Sequence, residues 1–299
     1  LSASFASALN AAREAAASQH YPQGALYVVA TPIGNLADIS LRALHVLALA
    51  DTVACEDTRH TQAMLRAYGV DKNGAQLMAV HQHNEAEAAQ AVIERLRQGQ
   101  RVAYASDAGT PAVSDPGARL VAATRAAGLA VMPLPGASSV TAALSVSGIV
   151  EHGGFVFAGF LPAKATEREA AVQALGQESR AVVLLEAPHR VEALAQALAA
   201  LGERTITVGR ELTKQFEQIT DVAAAALPAW LAADASRTRG EFVLVLHPVP
   251  TPSAAADGER VLRLLLAELP LKSAVKLAAE ITGAPRNTLY EQALALKNG

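Results

Sequence analysis

Acidic and basic side chains of this 299-residue chain gather at three places. These are Glu56-Asp57-Thr58-Arg59, Glu186-Ala187-Pro188-His189-Arg190, and Gly209-Arg210-Glu211-Leu212-Thr213-Lys214 with Glu217. Carboxylates and imidazoles at such points could take a proton from a nucleophile or position a cationic reactant. Arg59, Arg190, Arg210 and Lys214 could hold substrate phosphates or anchor cleft carboxylates, and the planar guanidinium fork suits either partner. Each cluster taken singly also fits a solvated face, a helix cap or a local ion pair, such as Arg210 with Glu211 or Glu217. Their common placement after strand-like runs favours one cleft and a phosphate-bearing substrate.

Three loops rich in Gly, Pro, Asp and Thr share that placement. They are TPIGNLAD (31–38), SDAGTPAVSDPG (106–117) and PGASS (135–139). In open α/β sheets ligands sit outside the carboxyl ends of the strands. Glycine there lets backbone amides and carbonyls approach a ligand closely. Turn formation would account for one such loop, but three at successive strand ends predict a binding cleft. The familiar alternatives are missing. No two glycines are separated by a single residue, so the GxGxxG dinucleotide fingerprint is absent, as are GxxxxGK[ST], GxSxG, HExxH and CxxC. His81 and His83 with Glu85 could suggest a metal. No second ligand cluster follows them, and polar groups at a strand end are the better reading.

The elements that must carry these loops are legible from periodicity. Strand-like runs lie at 25–30, 52–55, 101–105, 130–134, 155–160, 181–185, 204–208 and 241–247. Helical spacing fills 40–49, 61–68, 85–98, 118–127, 167–175 and 191–201. This alternation predicts an α/β protein with mostly parallel sheets, in two sets. The expected divisions are an N-terminal extension (1–24), a first lobe (25–135), a second lobe (136–248), a Pro- and Ala-rich linker (249–257) and a helical tail (258–299). In the tail, a helix over 273–281, a turn at Thr282-Gly283 and a helix from Pro285 give helix-turn-helix-like spacing. Six Lys or Arg (260, 263, 272, 276, 286, 297) against four Glu make it mildly basic. A plain helical hairpin has the same pattern.

Composition sets the outer bounds. The chain is 51% hydrophobic, 18% charged and 4% aromatic, so it can bury a core of Ala, Leu and Val. Global disorder is excluded on that basis. A single cysteine, Cys55, allows neither an intrachain disulfide nor a thiolate zinc site and fits a reducing cytoplasm. A net charge of −3 neither requires nor forbids a nucleic-acid partner, since a local basic face suffices. The first twenty residues lack the basic start and apolar run of a signal peptide. The uncharged stretch 126–150 is broken by Pro133, Pro135, Gly136 and Gly148, so no membrane span is expected.

The series ATPIGNLADIS, CEDTRHT, HQHNE, SDAGTPAVSDPG, PLPGASS, GFLPAK, EAPHR and GRELTK, then GEFVL, resembles the bacterial 16S rRNA cytidine 2′-O-methyltransferases of the tetrapyrrole (precorrin) methylase superfamily. The likeness runs in order from about Leu26 to His247, and the helical tail is similar to that group's extra C-terminal domain. The resemblance implies two α/β lobes of tetrapyrrole-methylase type with S-adenosylmethionine folded into the cleft between them, held largely by backbone. It thus accounts for the missing GxGxxG. It assigns to the cofactor Pro32, then Asp107, Ala108, Gly109, Thr110, Pro111 and Val113, then Ser138, Ser139, Glu186, Ala187 and Val243. It also implies a homodimer and, as substrate, a decoding-centre cytidine of 16S rRNA. Because folded rRNA presents shape and 2′-hydroxyls, the assembled 30S subunit is the expected partner.

Methyl transfer to a hydroxyl is an in-line displacement that discharges a sulfonium and needs no metal. Alignment can supply up to roughly 7–11 kcal/mol, and a proton acceptor within about 3 Å helps further. Asp38, Glu56, Asp57, Glu85, Glu186 and His189 are the candidate acceptors, and the sequence does not choose among them. Two other readings compete. One is a small-molecule, tetrapyrrole-like methyltransferase of the same fold. The other is a helix-turn-helix regulator with a ligand-binding body, for which Arg286 and Lys297 against Glu291 make a thin base-reading helix.

Overall fold

The structure, a computed structural model, describes residues 5–81, 84–113, 117–150, 154–249 and 254–298. The first lobe runs α1 (Ala6–Ala16), β1 (Ala25–Val29), α2 (Leu41–Leu49), β2 (Thr52–Cys55), α3 (Thr58–Ala67), β3 (Leu77–Ala79), α4 (Glu85–Arg97), β4 (Val102–Ala105), α5 (Gly117–Ala126) and β5 (Ala130–Leu134). Its five strands are all parallel, in the order β3-β2-β4-β1-β5. The central β2 and β4 are buried at every residue, as helices on both faces of a parallel sheet require. The expected N-terminal extension is no appendage. Leu9 and Ala12 of α1 belong to the core under α2, and the Phe5 ring stands 5.6 Å from that of Tyr68.

The second lobe comprises α6 (Ser139–Val146), β6 (Phe155–Gly159), α7 (Ala165–Gly176), β7 (Ala181–Glu186), α8 (Val191–Leu198), β8 (Thr205–Arg210), β9 (Gln218–Ala223), α9 (Leu227–Ala232) and β10 (Phe242–Leu246). Its strand order is β6-β7-β10-β8-β9. Here the expectation of a mostly parallel sheet is corrected. Only β6 and β7 are parallel; β10 runs antiparallel to both β7 and β8, and β8 to β9. The connection from β8 to β9 is too short for a crossover, so the chain must return as a hairpin. Strands β3 and β9 had no sequence-level signal. The first is three residues long, and the second (QITDVA) is a half-exposed edge without strong patterning.

Three helices form the tail: α10 (Ala254–Glu268), α11 (Leu271–Thr282) and α12 (Arg286–Asn298). They close on their own small core of Leu262, Ala274, Val275, Ala278 and Leu289. Helix α10 begins inside the segment expected to be linker, because Ala254 to Ala256 follow that segment's last proline, Pro252, and favour helix. No helix among the described residues is long and apolar enough to cross a membrane.

Candidate active site

The first lobe places its loops where parallel sheets bind ligands. Strands β1 and β4 are neighbours, yet the chain leaves β1 toward β2 on one side and leaves β4 toward β5 on the other. Their carboxyl ends therefore form a topological switch point, and the crevice between the two departing loops opens there. Thr31 and Gly109 pair across it, exchanging backbone hydrogen bonds of 3.0 and 3.1 Å. Thr31 Oγ1 donates to the Ser106 carbonyl at 3.1 Å, and Ser106 Oγ to that of Gly109 at 3.0 Å. Thr110 Oγ1 donates to the Ala137 carbonyl at 3.0 Å and so binds in the third loop, after β5. Gly109 has φ +84°, a conformation that L side chains rarely adopt, and its tight turn lets the second loop fold back over the first.

The second lobe turns a matching edge toward this crevice. Because β10 is antiparallel, its first residue, Phe242, pairs with the last residues of β7 and β8, Glu186 and Arg210. The Glu186 side chain is buried. Its Oε1 accepts from the Ala187 amide at 2.9 Å and forms an ion pair with Arg190, 3.1 Å from its Nε. Oε2 is buried with no hydrogen-bond partner in the protein. Arg190 also donates to the Leu161 carbonyl, which ties the end of β6 to the same carboxylate. After β8 the backbone is strained, with Glu211 at φ +52° and Thr213 at φ +67°. This loop presents Lys214, whose Nζ meets Glu211 Oε1 at 2.7 Å and Glu241 Oε2 at 2.8 Å. Burial alone would lower the lysine's pKa, but its two carboxylates outweigh that and raise it. Burial likewise works to raise Glu211, and Lys214 together with the Glu241 amide brings it below the usual range. The Lys214 stem crosses the first lobe at Gly34, where a Cβ would lie 2.4 Å from Lys214 Cγ. The two lobes thus touch at a paired lysine.

Between the lobes lie three adjoining cavities, all touching Ala108. One, of about 320 Å³, is walled by Ile33, Phe160, Leu185, Leu212, Phe242 and Val243, with Glu186, Ala187 and Ser139. A second, of about 150 Å³, is lined by Glu56, Ser106, Gly109, Thr110, Val113, Ser138 and Ser139. The third, of about 450 Å³, includes Pro32, Gly34, His60, Asp107, Lys214 and Glu241 in its walls. All the residues expected at the cofactor except Pro111 line one or more of these cavities. Residues 114–116 of the second loop, and His83, lie outside the described residues. Sequence reasoning missed Ile33, Phe160, Leu212 and Glu241. The motifs contained all four, yet side chains without charge, or beside a stronger charge cluster, gave no reason to single them out. A larger cavity, of about 970 Å³, sits away from these loops, between α7 and the exit of β10.

The candidate acceptors separate by geometry. Glu56 and Glu186 line the cavities. Asp57 is the N-cap of α3, accepting from the Arg59 amide at 2.8 Å, and Arg59 with these amides lowers its pKa. Glu85 opens α4 and binds Arg119 at 2.6 Å. Asp38 and His189 are exposed and line none of the three cavities. The cations separate as well. Arg59 is open to solvent beside Asp57. Arg210 is instead buried, bonded to Gln218 Oε1 at 3.3 Å and to the Arg239 carbonyl at 3.2 Å. Its guanidinium is thus engaged within the strand edge, and Glu211 and Glu217, with which the sequence also allowed an ion pair, are not among those hydrogen-bond partners. Arg190 and Lys214 are held by carboxylates. His81 sits in a turn that Asn84 closes by accepting its amide at 2.8 Å, and no metal-like group of three His, Cys, Asp or Glu occurs among the described residues.

These residues suit S-adenosylmethionine. Apolar walls can take its adenine, the unpartnered Glu186 Oε2 can accept from a hydroxyl or amine, and the backbone of the crossed loops can hold its polar end.

Residues 25–228 match the family described as tetrapyrrole (corrin/porphyrin) methylases, and 252–297 match the RsmI C-terminal HTH domain. The chain is 46% identical over 276 residues to ribosomal RNA small subunit methyltransferase I of Escherichia coli O157:H7, covering 91% of this chain and 95% of that one. To the protein of that name from Pseudomonas aeruginosa it is 48% identical, covering 91% and 97%. Among solved structures it is similar to uroporphyrin-III-C-methyltransferase from Thermus thermophilus. The TM-score is 0.54 at 22% identity, over 75% of this chain and 94% of that one. Uroporphyrin-III C-methyl transferase from the same organism, complexed with S-adenyl homocysteine, gives 0.50 at 17% identity, over 74% and 96%.

Proposed function

The chain belongs to the tetrapyrrole methylase family, in the branch of ribosomal RNA small subunit methyltransferase I, and from that premise we propose that it methylates the ribose 2′-hydroxyl of a cytidine in 16S rRNA. It is an S-adenosylmethionine-dependent rRNA methyltransferase. The observation that carries the finer reading is the tail. A separate three-helix unit of the ribosomal type follows the two lobes, and a small-molecule methyltransferase has no use for it.

The cofactor supplies an electrophilic methyl group on a sulfonium. The protein must align the acceptor oxygen behind that methyl, exclude water and receive a proton. The switch-point loops, cross-bonded through Thr31, Ser106, Gly109 and Thr110, form a rigid floor that limits the motion of both reactants. Of the acceptors the sequence left open, Glu56 is the one we favour for the proton. It lines the cavity next to Ser138 and Ser139, whereas Asp38, Asp57, Glu85 and His189 line none of the three cavities. Glu186 is assigned to the cofactor, and the exposed Arg59 to RNA phosphate. The proposal extends to a cytoplasmic homodimer acting on the assembled 30S subunit, because folded rRNA offers shape and 2′-hydroxyls to such an enzyme.

Radiolabelled S-adenosylmethionine offered to 30S subunits lacking native modification, with naked 16S rRNA in parallel, tests this. Label mapped to a 2′-O-methylcytidine is the expected result, stronger on the subunits. Cofactor binding without label on either RNA would overturn the substrate assignment in favour of a small molecule.

A further inference from the structure

We propose that the third cavity, of about 450 Å³, is the seat of the target nucleoside, turned out of its RNA stack with the base laid against α3. This inference rests on the RNA reading above and names its substrate subsite. Three observations carry it.

The first is position. This cavity shares Ile33, Ala108 and Glu241 with the 320 Å³ cavity that holds Glu186 and Ala187. On one side it is bounded by Pro32 and Asp107, which the resemblance assigns to the cofactor, so a ligand against its α3 wall would stand beside the cofactor. The second is shape and polarity. His60, Ala63, Met64 and Ala67 recur at the spacing of one helix face, and Ala63, Met64 and Ala67 give the cavity an apolar wall together with Leu36. A phosphate has no need of such a wall, whereas a base gains from stacking on one.

The third is charge. Polar groups at this cavity are His60, Asp107, Lys214 and Glu241. Lys214, its one ammonium, is already met by Glu211 and Glu241, and Asp107 adds another carboxylate. The rim thus carries surplus negative charge and acceptor oxygens. It repels phosphates and the carboxylates of an anionic small molecule, and it favours a neutral ligand bearing N–H donors. A cytosine amino group is such a donor, and carboxylates are its usual acceptors. A base can reach this wall only when extruded, and a base inside folded RNA must leave its stack to enter any such pocket.

The test fills the cavity from its α3 wall and substitutes no residue that the resemblance assigns to the cofactor: Pro32, Asp107 and Ala108 stay as they are. Ala63 is exposed on α3 and Ala67 is half-buried, so Ala63→Phe and Ala67→Phe place a ring where the base would lie. Three quantities are read: the Kd for S-adenosylmethionine by calorimetry, methyl transfer to unmodified 30S subunits, and fluorescence of pyrrolocytidine placed at the mapped target position. For wild type, binding should raise the pyrrolocytidine signal. In either variant the Kd should stay within about twofold, kcat/KM should fall at least about a hundredfold, and the signal should not rise. A filled variant that melts like wild type and methylates at the wild-type rate would overturn the subsite. So would efficient wild-type transfer without a fluorescence change. Failure of wild type to label any RNA would instead overturn the RNA reading, which keeps the two failures distinct. Glu241→Gln gives a second check. It keeps the side chain's size and leaves Glu211 to pair with Lys214, and loss of preference for cytidine over uridine at the target is expected in protein that melts like wild type.

Discussion

Glu186→Gln separates a cofactor ligand from a structural carboxylate. The side chain is buried, with Oε1 bonded to the Ala187 amide at 2.9 Å and ion-paired with Arg190 Nε at 3.1 Å, and Oε2 has no hydrogen-bond partner in the protein. Gln has nearly the same shape. Its amide oxygen can keep the Ala187 bond, while its amino group replaces the acceptor at Oε2 with a donor. If Oε2 accepts from the cofactor, the variant forfeits a hydrogen bond to a charged group, about 1.5–3 kcal/mol. That corresponds to a Kd raised by roughly 10- to 150-fold. The unliganded protein feels two opposing effects: a weaker tie to Arg190, and relief from burying an unpaired charged oxygen. Their near-cancellation should leave unfolding free energy within about 1 kcal/mol of wild type. Calorimetric titration with S-adenosylmethionine and urea unfolding of the apo protein measure the two sides. An unchanged Kd with a loss of about 3–5 kcal/mol in stability would refute the reasoning and make Glu186 a structural anchor.

Gly34→Ala should push Lys214 off its carboxylates, because the new Cβ would lie 2.4 Å from Lys214 Cγ. A loss of about 1–3 kcal/mol is expected in urea unfolding, and an unmoved midpoint would mean the lobes do not depend on this contact. Arg59→Ala removes a side chain that is 92% exposed, so stability should hold within about 0.5 kcal/mol. The slope of log K for RNA against log salt should fall by about one; the same slope would take Arg59 out of the RNA path. The Lys214 latch sets a pH window. Glu211 is held below its usual range, so its contribution is present above that range and lost as pH falls through the depressed value. Lys214 is raised, so its contribution is complete below the usual lysine range and lost as pH rises through the raised value. The stability difference between wild type and Lys214→Met should therefore be flat near neutrality and shrink at both extremes, and a difference that varies across neutral pH would contradict the pairing.

Much of the site was legible before any coordinates, for a physical reason. Loops 31–38, 106–113 and 135–139 owe their form to local chemistry, since Gly and Pro dictate where the backbone can turn. Their clustering follows from parallel strands presenting carboxyl ends on one side. The roles of the charged residues were not legible. Arg59 and Arg210 look alike in sequence, yet one is open to water and the other is spent between Gln218 and the Arg239 carbonyl. Asp57 and Glu56 are adjacent, and only the helix start at Thr58 decides that the aspartate serves as the cap.

Alternation of strand and helix periods determined an α/β protein in two sets, the strand-end loops and the helical tail, because short-range patterning reports which faces must be buried. Tertiary structure alone decided the rest. It set β10 antiparallel between β7 and β8, which brings Phe242 beside both Glu186 and Arg210. It folded α1 into the first lobe and started α10 within the expected linker. It also laid Lys214 across Gly34, 180 positions away in the chain. Such pairings depend on which distant surfaces fit and which charges find partners, and that is a property of the packed molecule.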